Sequence, residues 1–317
     1  MDEFIFVPDS VNVENLDGLA KDYSVLAEQR ALEICDIARS MLDCAISFRE
    51  KGANIAEILS FISSGFSLGC YPVSDLISHE NRIFIESTLA LTRGFDRVAL
   101  CREFVSLASD CDYPLTERDF LPSGEREEDI VYVKNALADE AYDVFAEEFH
   151  RPRVTYSTSL RDSALAISSG EAGYCLLPLE EKGGVRLHTV AELIYRNDLK
   201  INAVTPVFGL DGNAELKYAL VSKYFSIPRR GNDDERYLEI RIGEDSFSDL
   251  AELICSLSLF GMSLYRIDTV SFINDGESER FVNLVIREGE GLFTHLLVYL
   301  ALFVSDFTTV GIYLNLE

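Results

Sequence analysis

The sequence predicts a multidomain protein of α/β and α+β class: an all-helical segment first, an alternating strand-helix segment next, and a compact βαββαβ unit last. Three observations predict it. Apolar residues recur at three and four up to about residue 110, strand-like and helix-like runs alternate from residue 130, and two polar stretches separate the three patterns. At 317 residues the chain exceeds the size at which single cores stop growing, roughly 250 to 300 residues, so two or three domains fit. With 48% hydrophobic and 26% charged residues, it has the balance of a globular chain rather than a disordered one.

In the first segment Val13, Leu16, Leu19, Ala20, Tyr23, Leu26, Ala27, Ala31, Ile34, Ala38 and Leu42 fall on one stripe of a long helix. A second helix is expected after Asn54, whose side chain accepts from the free backbone donors of a helix start. Glu57 follows three residues later, as in a capping box, and Ile55, Ile58, Leu59 and Ile62 supply the buried face. Another helix is expected from about Asp75 to Leu91. The stretch Asp112 to Asp129 combines two prolines, a glycine and a charge run, which sets the helical domain at 1–111 and a linker at 112–129.

Beyond the linker, Ile130 to Val133 reads as strand, Leu137 to Phe149 as helix, Arg153 to Tyr156 as strand, Leu160 to Ser169 as helix and Gly173 to Leu177 as strand. Such alternation predicts βαβ units and a parallel sheet over 130–226. A second polar hinge, Ile227 to Asp234, precedes the last domain, 234–317. There the order is strand (Tyr237 to Ile242), helix (Phe247 to Phe260), two strands joined at Asn274-Asp-Gly276, helix (Leu292 to Val304) and strand (Thr309 to Leu316). This is the ferredoxin-like βαββαβ order.

Charge narrows the function classes. A net charge of −26 and a pI near 4.5 repel phosphate backbones and anionic lipid, so neither nucleic acid nor a membrane is an expected partner. A small anionic substrate would need a local cationic pocket. The N-terminus lacks a basic segment followed by an apolar core, which predicts a cytoplasmic protein. The most apolar run, Leu292 to Val304, is shorter than the ~20 residues of a membrane-spanning helix and reads as a core helix. The seven cysteines are odd in number and lack a Cys-x-x-Cys pair, so reduced, packed thiols are expected. Four histidines lie far apart, without ligand spacing, and neither a metal nor another cofactor is expected.

The stretch Gly170-Glu-Ala-Gly-Tyr-Cys-Leu-Leu-Pro-Leu-Glu180, followed by Asp198-Leu-Lys-Ile201, raises a specific comparison. It resembles prephenate dehydratase, in which a Gly-x-Ala-Asp-Tyr-Gly strand ends in Pro-Ile-Glu-Asn-Ser before a helix and a similar Asp-Leu-Lys-Ile. Leu264-Tyr-Arg-Ile-Asp-Thr-Val-Ser271 is similar to the Leu-Thr-x-Ile-Glu-Ser-Arg-Pro of the ACT domain that follows dehydratase domains. The resemblance covers residues 130 to 317. It implies a periplasmic-binding-protein-like α/β lobe, then an ACT domain that pairs two copies and frames phenylalanine between them.

Departures from the family pattern bear on activity. Its Gly-Pro-x-Gly-Thr-Phe-Ser reads Lys134-Asn-Ala-Leu-Ala-Asp139 here, and its Thr-Arg-Phe reads Lys217-Tyr-Ala219. From Ile201 to Phe208 the chain passes almost at once to Asn213 to Val221, which truncates the lobe and removes one wall of the cleft. The reaction expels hydroxide and carbon dioxide from a dicarboxylate, so it needs an acid near the leaving hydroxyl and donors for both carboxylates. By the resemblance, Lys217 would hold a carboxylate, Tyr218 would donate a proton, and Glu180 matches the family's Glu. The alternative reading places Lys217 and Tyr218 on an ordinary strand. Glu180 and Glu181 are adjacent, and successive strand residues face opposite ways, so they are not expected to share a proton.

For the ACT-like unit, the resemblance assigns ligand binding to Ser248, Asp249, Leu250, Asp268 and Thr269; Asp249 would pair with an α-ammonium. The module order also matches bifunctional chorismate mutase/prephenate dehydratases. In that comparison Arg30, Arg39 and Arg49 would take the places of the mutase's substrate-binding cations, although a solvated helix face with scattered arginines is the stronger reading. The expected function is thus a prephenate dehydratase-like ACT protein related to phenylalanine biosynthesis, catalytically degenerate and acting as an amino-acid-responsive or assembly module. Its partners would be an amino acid or prephenate-like anion and a second copy of itself. The alternative is an active mutase or dehydratase with a rebuilt site.

Overall fold

The structure is a computed structural model that describes residues 13–49, 54–66, 78–124, 127–147, 149, 152–208, 214–228, 235–274 and 277–316. Four helices come first: α1 (Val13–Arg49), α2 (Ile55–Ser63), α3 (His79–Leu91) and α4 (Phe95–Asp110). Asn54 caps α2 as expected, its Oδ1 accepting from the backbone N–H of Ala56 at 2.7 Å. Ser78 caps α3 through Oγ, which accepts from Asn81 N–H at 3.2 Å. The expected start of that helix at Asp75 lies outside the described residues.

The apolar stripe of α1 is only half used. Ile34, Ala38 and Leu42 are buried, whereas Tyr23 and Leu26 are 76% and 63% exposed. The reason is length. At about 1.5 Å per residue, the 37-residue α1 far outruns the 16-residue α4 packed against it. The side chains of Val13, Leu16, Leu19 and Ala20 lie outside the described set.

The rest of the chain is mixed α/β. It runs β1 (Asp129–Val133), α5 (Ala136–Ala146), β2 (Arg153–Ser157), α6 (Leu160–Ser169), β3 (Tyr174–Glu181), β4 (Val185–Arg186), α7 (His188–Arg196), β5 (Lys200–Phe208) and β6 (Ala214–Ser222). Then follow β7 (Arg236–Gly243), α8 (Leu250–Leu259), β8 (Ser263–Asn274), β9 (Glu277–Arg287), α9 (Phe293–Phe303) and β10 (Phe307–Asn315). All ten strands join one sheet in the order β2-β1-β3-β6-β5-β10-β7-β9-β8, with β4 added beside β3.

The last four strands take the order fourth, first, third, second, the antiparallel arrangement expected of a ferredoxin-like unit. The expected parallel sheet is found only in part. β1 is parallel to β2 and β3, but β6 enters antiparallel between β3 and β5. Only residues 209–213 join β5 to β6, and a parallel crossover needs a dozen residues or more. A hairpin is the remaining solution, so nothing that could form a second lobe stands at this point of the chain.

Among the described residues four apolar clusters hold these layers, the smallest joining Ala191 of α7 to Val270 and Phe272 of β8. The largest unites Phe48, Leu59 and Phe104 of the helical segment with Leu238 and Ile240 of β7 and Leu297 of α9. The apolar run is core from Phe293 to Val304, as its length predicted, with Leu292 left exposed, and α9 lies under α2 and α4. A second core sits under α6 and α7, with Leu177, Val190, Ala219 and Val285. The third joins α5 to the opposite sheet face through Ile130, Phe145, Tyr218 and Leu220. Among the described residues no helix is long and apolar enough to cross a membrane.

Candidate functional site

The site begins where β3 leaves α6. Gly170 ends that helix in the left-handed conformation (φ 78°), which turns the chain toward Tyr174. Proline within a sheet is confined to edges and bulges because it has no N–H to donate. Pro178 obeys this: the β3–β6 register shifts between Pro178 and Glu180, and β1 pairs with β3 only at Tyr174 and Cys175. The bulge sets Glu180 opposite Lys217 on β6 and Arg186 on β4.

Glu180 is 6% exposed and faces inward, while Glu181 is exposed, so the two carboxylates do not share a proton. Glu180 Oε1 lies 2.6 Å from Arg266 Nη1 and its Oε2 lies 3.7 Å from Lys217 Nζ. Arg266 Nε is 2.7 Å from Asp268 Oδ2, but neither atom is aligned for a hydrogen bond, so this contact is ionic. Beside this group, Arg186 Nη2 donates to Glu239 Oε2 at 2.6 Å, and the Tyr313 hydroxyl donates to the same oxygen at 3.3 Å. Three cations (Arg186, Lys217, Arg266) thus face three anions (Glu180, Glu239, Asp268) where the α/β lobe meets the βαββαβ unit.

The electrostatics favour fixed charges. Burial, the largest single influence, disfavours the Arg186 cation, but Glu239, Tyr313 and Glu180 together outweigh it and hold the guanidinium above its ordinary pKa. Burial, then the Glu239 charge, push the Tyr313 hydroxyl well up, so it stays a donor. The space enclosed by Glu180, Lys217, Tyr237, Tyr265, Arg266 and Tyr313 amounts to about 20 Å³. That is room for roughly one water and none for a dicarboxylate.

The structure brings Lys217 and Glu180 together but sends Tyr218 elsewhere. Tyr218 lies on the α5 face of β6, buried among Ile130 and Phe145, with its hydroxyl donating to Asn135 Oδ1 at 3.5 Å. Burial pushes that hydroxyl up. Strand alternation is the reason: Ala219, two residues from Lys217, belongs to the opposite core. A proton donor and a carboxylate binder at 217 and 218 therefore cannot meet on one substrate.

The other candidates are also separated. Arg30 is held by Glu33 at 2.8 Å and Asp96 at 2.9 Å, Arg39 is exposed, and Arg49 sits 3.7 Å from Asp119 with its guanidinium over the Tyr113 ring. Nine residues of helix, about two and a half turns, put Arg30 and Arg39 on opposite sides of α1. In the C-terminal unit, Ser248, Asp249 and Leu250 precede or open α8. Asp268 pairs with Asn283, which pairs in turn with Arg241, on the face away from α8 and α9; Thr269 is exposed and pairs with Val282, on the helix-side face. Asp268 and Thr269 thus point oppositely.

Arg186, Glu239 and Arg266 were not singled out from sequence. Arg266 and Asp268 stand two apart, the spacing that shares a strand face, and this was the available signal. Among the described residues no group of three or more His, Cys, Asp or Glu side chains is set to hold a metal.

No family model matches the sequence, and no curated protein matches it. Among solved structures, prephenate dehydratase from Streptococcus mutans aligns with 60% of this chain and 99% of its own, at 12% identity and a TM-score of 0.46. Prephenate dehydratase from Arthrobacter aurescens in complex with L-Phe aligns with 58% of this chain and 89% of its own, at 13% identity and a TM-score of 0.42. A structure described as a novel type of quorum quenching acylase aligns with 60% and 96%, at 17% identity and a TM-score of 0.44.

Proposed function

We propose that this chain is a prephenate dehydratase-like protein with an ACT-like C-terminal unit, and that it works by binding and assembly rather than turnover. One observation carries the reading: Glu180, the carboxylate that the family resemblance marks, is buried against Arg266 and Lys217 with space for about one water beside it. Catalysis needs groups that converge on a substrate and a cavity that admits it. Here the charges converge on one another. The β5–β6 hairpin adds support, since a lobe without a partner offers no cleft. The βαββαβ unit at 234–317 is read as the assembly element, pairing with a second copy, and Asp268 as its amino-acid contact.

The test is purified protein incubated with chorismate and with prephenate, with and without phenylalanine, following mutase and dehydratase products. No turnover is expected, together with a dimer in sedimentation. Turnover that disappears in Lys217→Ala would establish a rebuilt dehydratase site instead, and turnover that disappears in Arg30→Ala a mutase.

A further inference from the structure

The 37-residue helix α1 carries one seam along its whole length, and among the described residues only the second half of that seam is covered. Ile34, Ile37, Met41, Cys44 and Phe48 stand three and four apart and are buried, at 0 to 8% exposure. This is the a and d spacing of helices that pack knobs into holes. α4 lies along this half and runs parallel to α1: Asp96 at its start meets Arg30, and Tyr113, just past its end, lies under Arg49.

Counted back from Ile34, the same spacing falls on Arg30, Ala27, Tyr23, Ala20, Leu16 and Val13. Arg30, committed to Glu33 and Asp96, closes the covered half. Beyond it the seam is open, because α4 starts only at Phe95. Tyr23 and Ala27 are exposed, as is Leu26 beside them. The Arg30–Asp96 contact also brings the corner between α3 and α4 to the foot of the open seam, and there Leu91 and Phe95 are 74% and 75% exposed. The result is an apolar shelf with a stop at one end. From residue 13 to residue 30 it runs about 27 Å at 1.5 Å per residue, or about five turns of helix. Contiguous exposed apolar surface of this kind marks an interaction site.

Charge decides between occupants. Residues 13–33 carry Glu14, Asp17, Asp22, Glu28 and Glu33 against Lys21 and Arg30, and Arg30 is already paired. The whole chain stands at −26. A second copy would set two acidic helices side by side, whereas a basic helix is drawn in by the same field. No carboxylate falls on the open seam positions themselves, so an apolar face can pack there without burying one.

We propose that the open half of α1 and the corner at Leu91 and Phe95 receive an amphipathic helix of another protein, apolar on one face and basic on its flanks. It packs along α1 in the line of α4, with Tyr23 and Leu26 as anchors, and its basic residues reach the carboxylates around the seam. This surface is separate from the C-terminal unit and does not depend on the loss of dehydratase chemistry.

Fluorescence anisotropy with the full chain tests this. The probe is a labelled three-heptad peptide with Leu at every a and d position and Lys at every e and g; its control carries Glu at e and g. The Lys peptide should bind at least roughly tenfold more tightly than the Glu peptide, and the gap should shrink as salt is raised. Tyr23→Ser combined with Leu26→Ser should weaken the Lys peptide by roughly tenfold or more. Val25→Ser combined with Leu32→Ser should leave it unchanged, since these side chains, 61% and 67% exposed, stand on the opposite face of α1. Far-UV circular dichroism checks that both variants keep the wild-type helix content. The proposal is overturned if neither peptide binds, if both bind equally, or if the Val25 and Leu32 variant loses as much as the Tyr23 and Leu26 variant. Sedimentation covers the remaining occupant. A wild-type dimer that turns monomeric in the Tyr23 and Leu26 variant gives the seam to a second copy and overturns the proposal, whereas a dimer kept in that variant leaves the seam open for the basic helix.

Discussion

Arg266 Nη1 lies 2.6 Å from Glu180 Oε1, joining the end of β3 to β8 across the boundary between the lobe and the C-terminal unit. Both side chains are largely buried, at 15% and 7% exposure. Breaking such a pair by removing one partner leaves an uncompensated charge, whereas replacing both with apolar or neutral groups of similar volume is often tolerated. Arg266→Ala should therefore cost about 3 kcal/mol in urea unfolding, and Glu180→Gln combined with Arg266→Met clearly less. Equal costs for the single and double variants would mean that shape, not charge, governs this contact.

The Arg186–Glu239 pair pins the two-residue strand β4 onto the sheet of the C-terminal unit. Glu239→Ala strands a buried guanidinium and should cost about 3 to 5 kcal/mol. Hydrogen exchange adds a local readout: amides of residues 185–187 should lose protection before those of β7. Uniform loss of protection across the protein would show that β4 is not a separate opening unit.

His295 supplies a pH dependence. Burial first, then the nearby Arg102 cation, lower its pKa below the usual 6.5. The unfolded chain therefore takes up this proton at a higher pH than the folded one. By linkage, the stability held in the neutral ring is complete above about pH 6.5 and is lost as pH falls toward the folded value. Comparing urea midpoints at pH 7.5 and 5.5, wild type should lose more than His295→Gln. An equal loss in both would remove His295 as the cause.

Gly311 sits in the strand that joins both halves of the sheet, paired with Ile201 on one side and Glu239 on the other. A Cβ at this position would stand 2.7 Å from Ile201 Cβ and 2.9 Å from its carbonyl oxygen. Because the clash is partly with backbone, Gly311→Ala should destabilise by about 1 to 3 kcal/mol. An unchanged midpoint would show that β5 and β10 can separate without cost.

Local signals in the chain were accurate where a residue answers only to its neighbours. Asn54 caps α2 through the amides of Ala56 and Glu57, and most of the apolar run from Phe293 to Leu302 is buried on all sides of α9. The ferredoxin-like order followed from strand and helix lengths and short connections. What depended on packing was misjudged at the same residues that carry chemistry. Tyr23 and Leu26 satisfy the helical period, yet no helix among the described residues covers them. Lys217 and Tyr218 are neighbours in sequence and opposites in space.

The sequence by itself determined the elements, their order and the positions of unusual charge, because backbone propensity and hydrophobic period act over a few residues. The tertiary structure alone decided which charges face each other. Glu180 meets Arg266 because a bulge at Pro178 and the short β5–β6 hairpin fold β3 and β6 toward β8. Electrostatic partnership depends on distance and solvent exclusion, which only the packed chain defines.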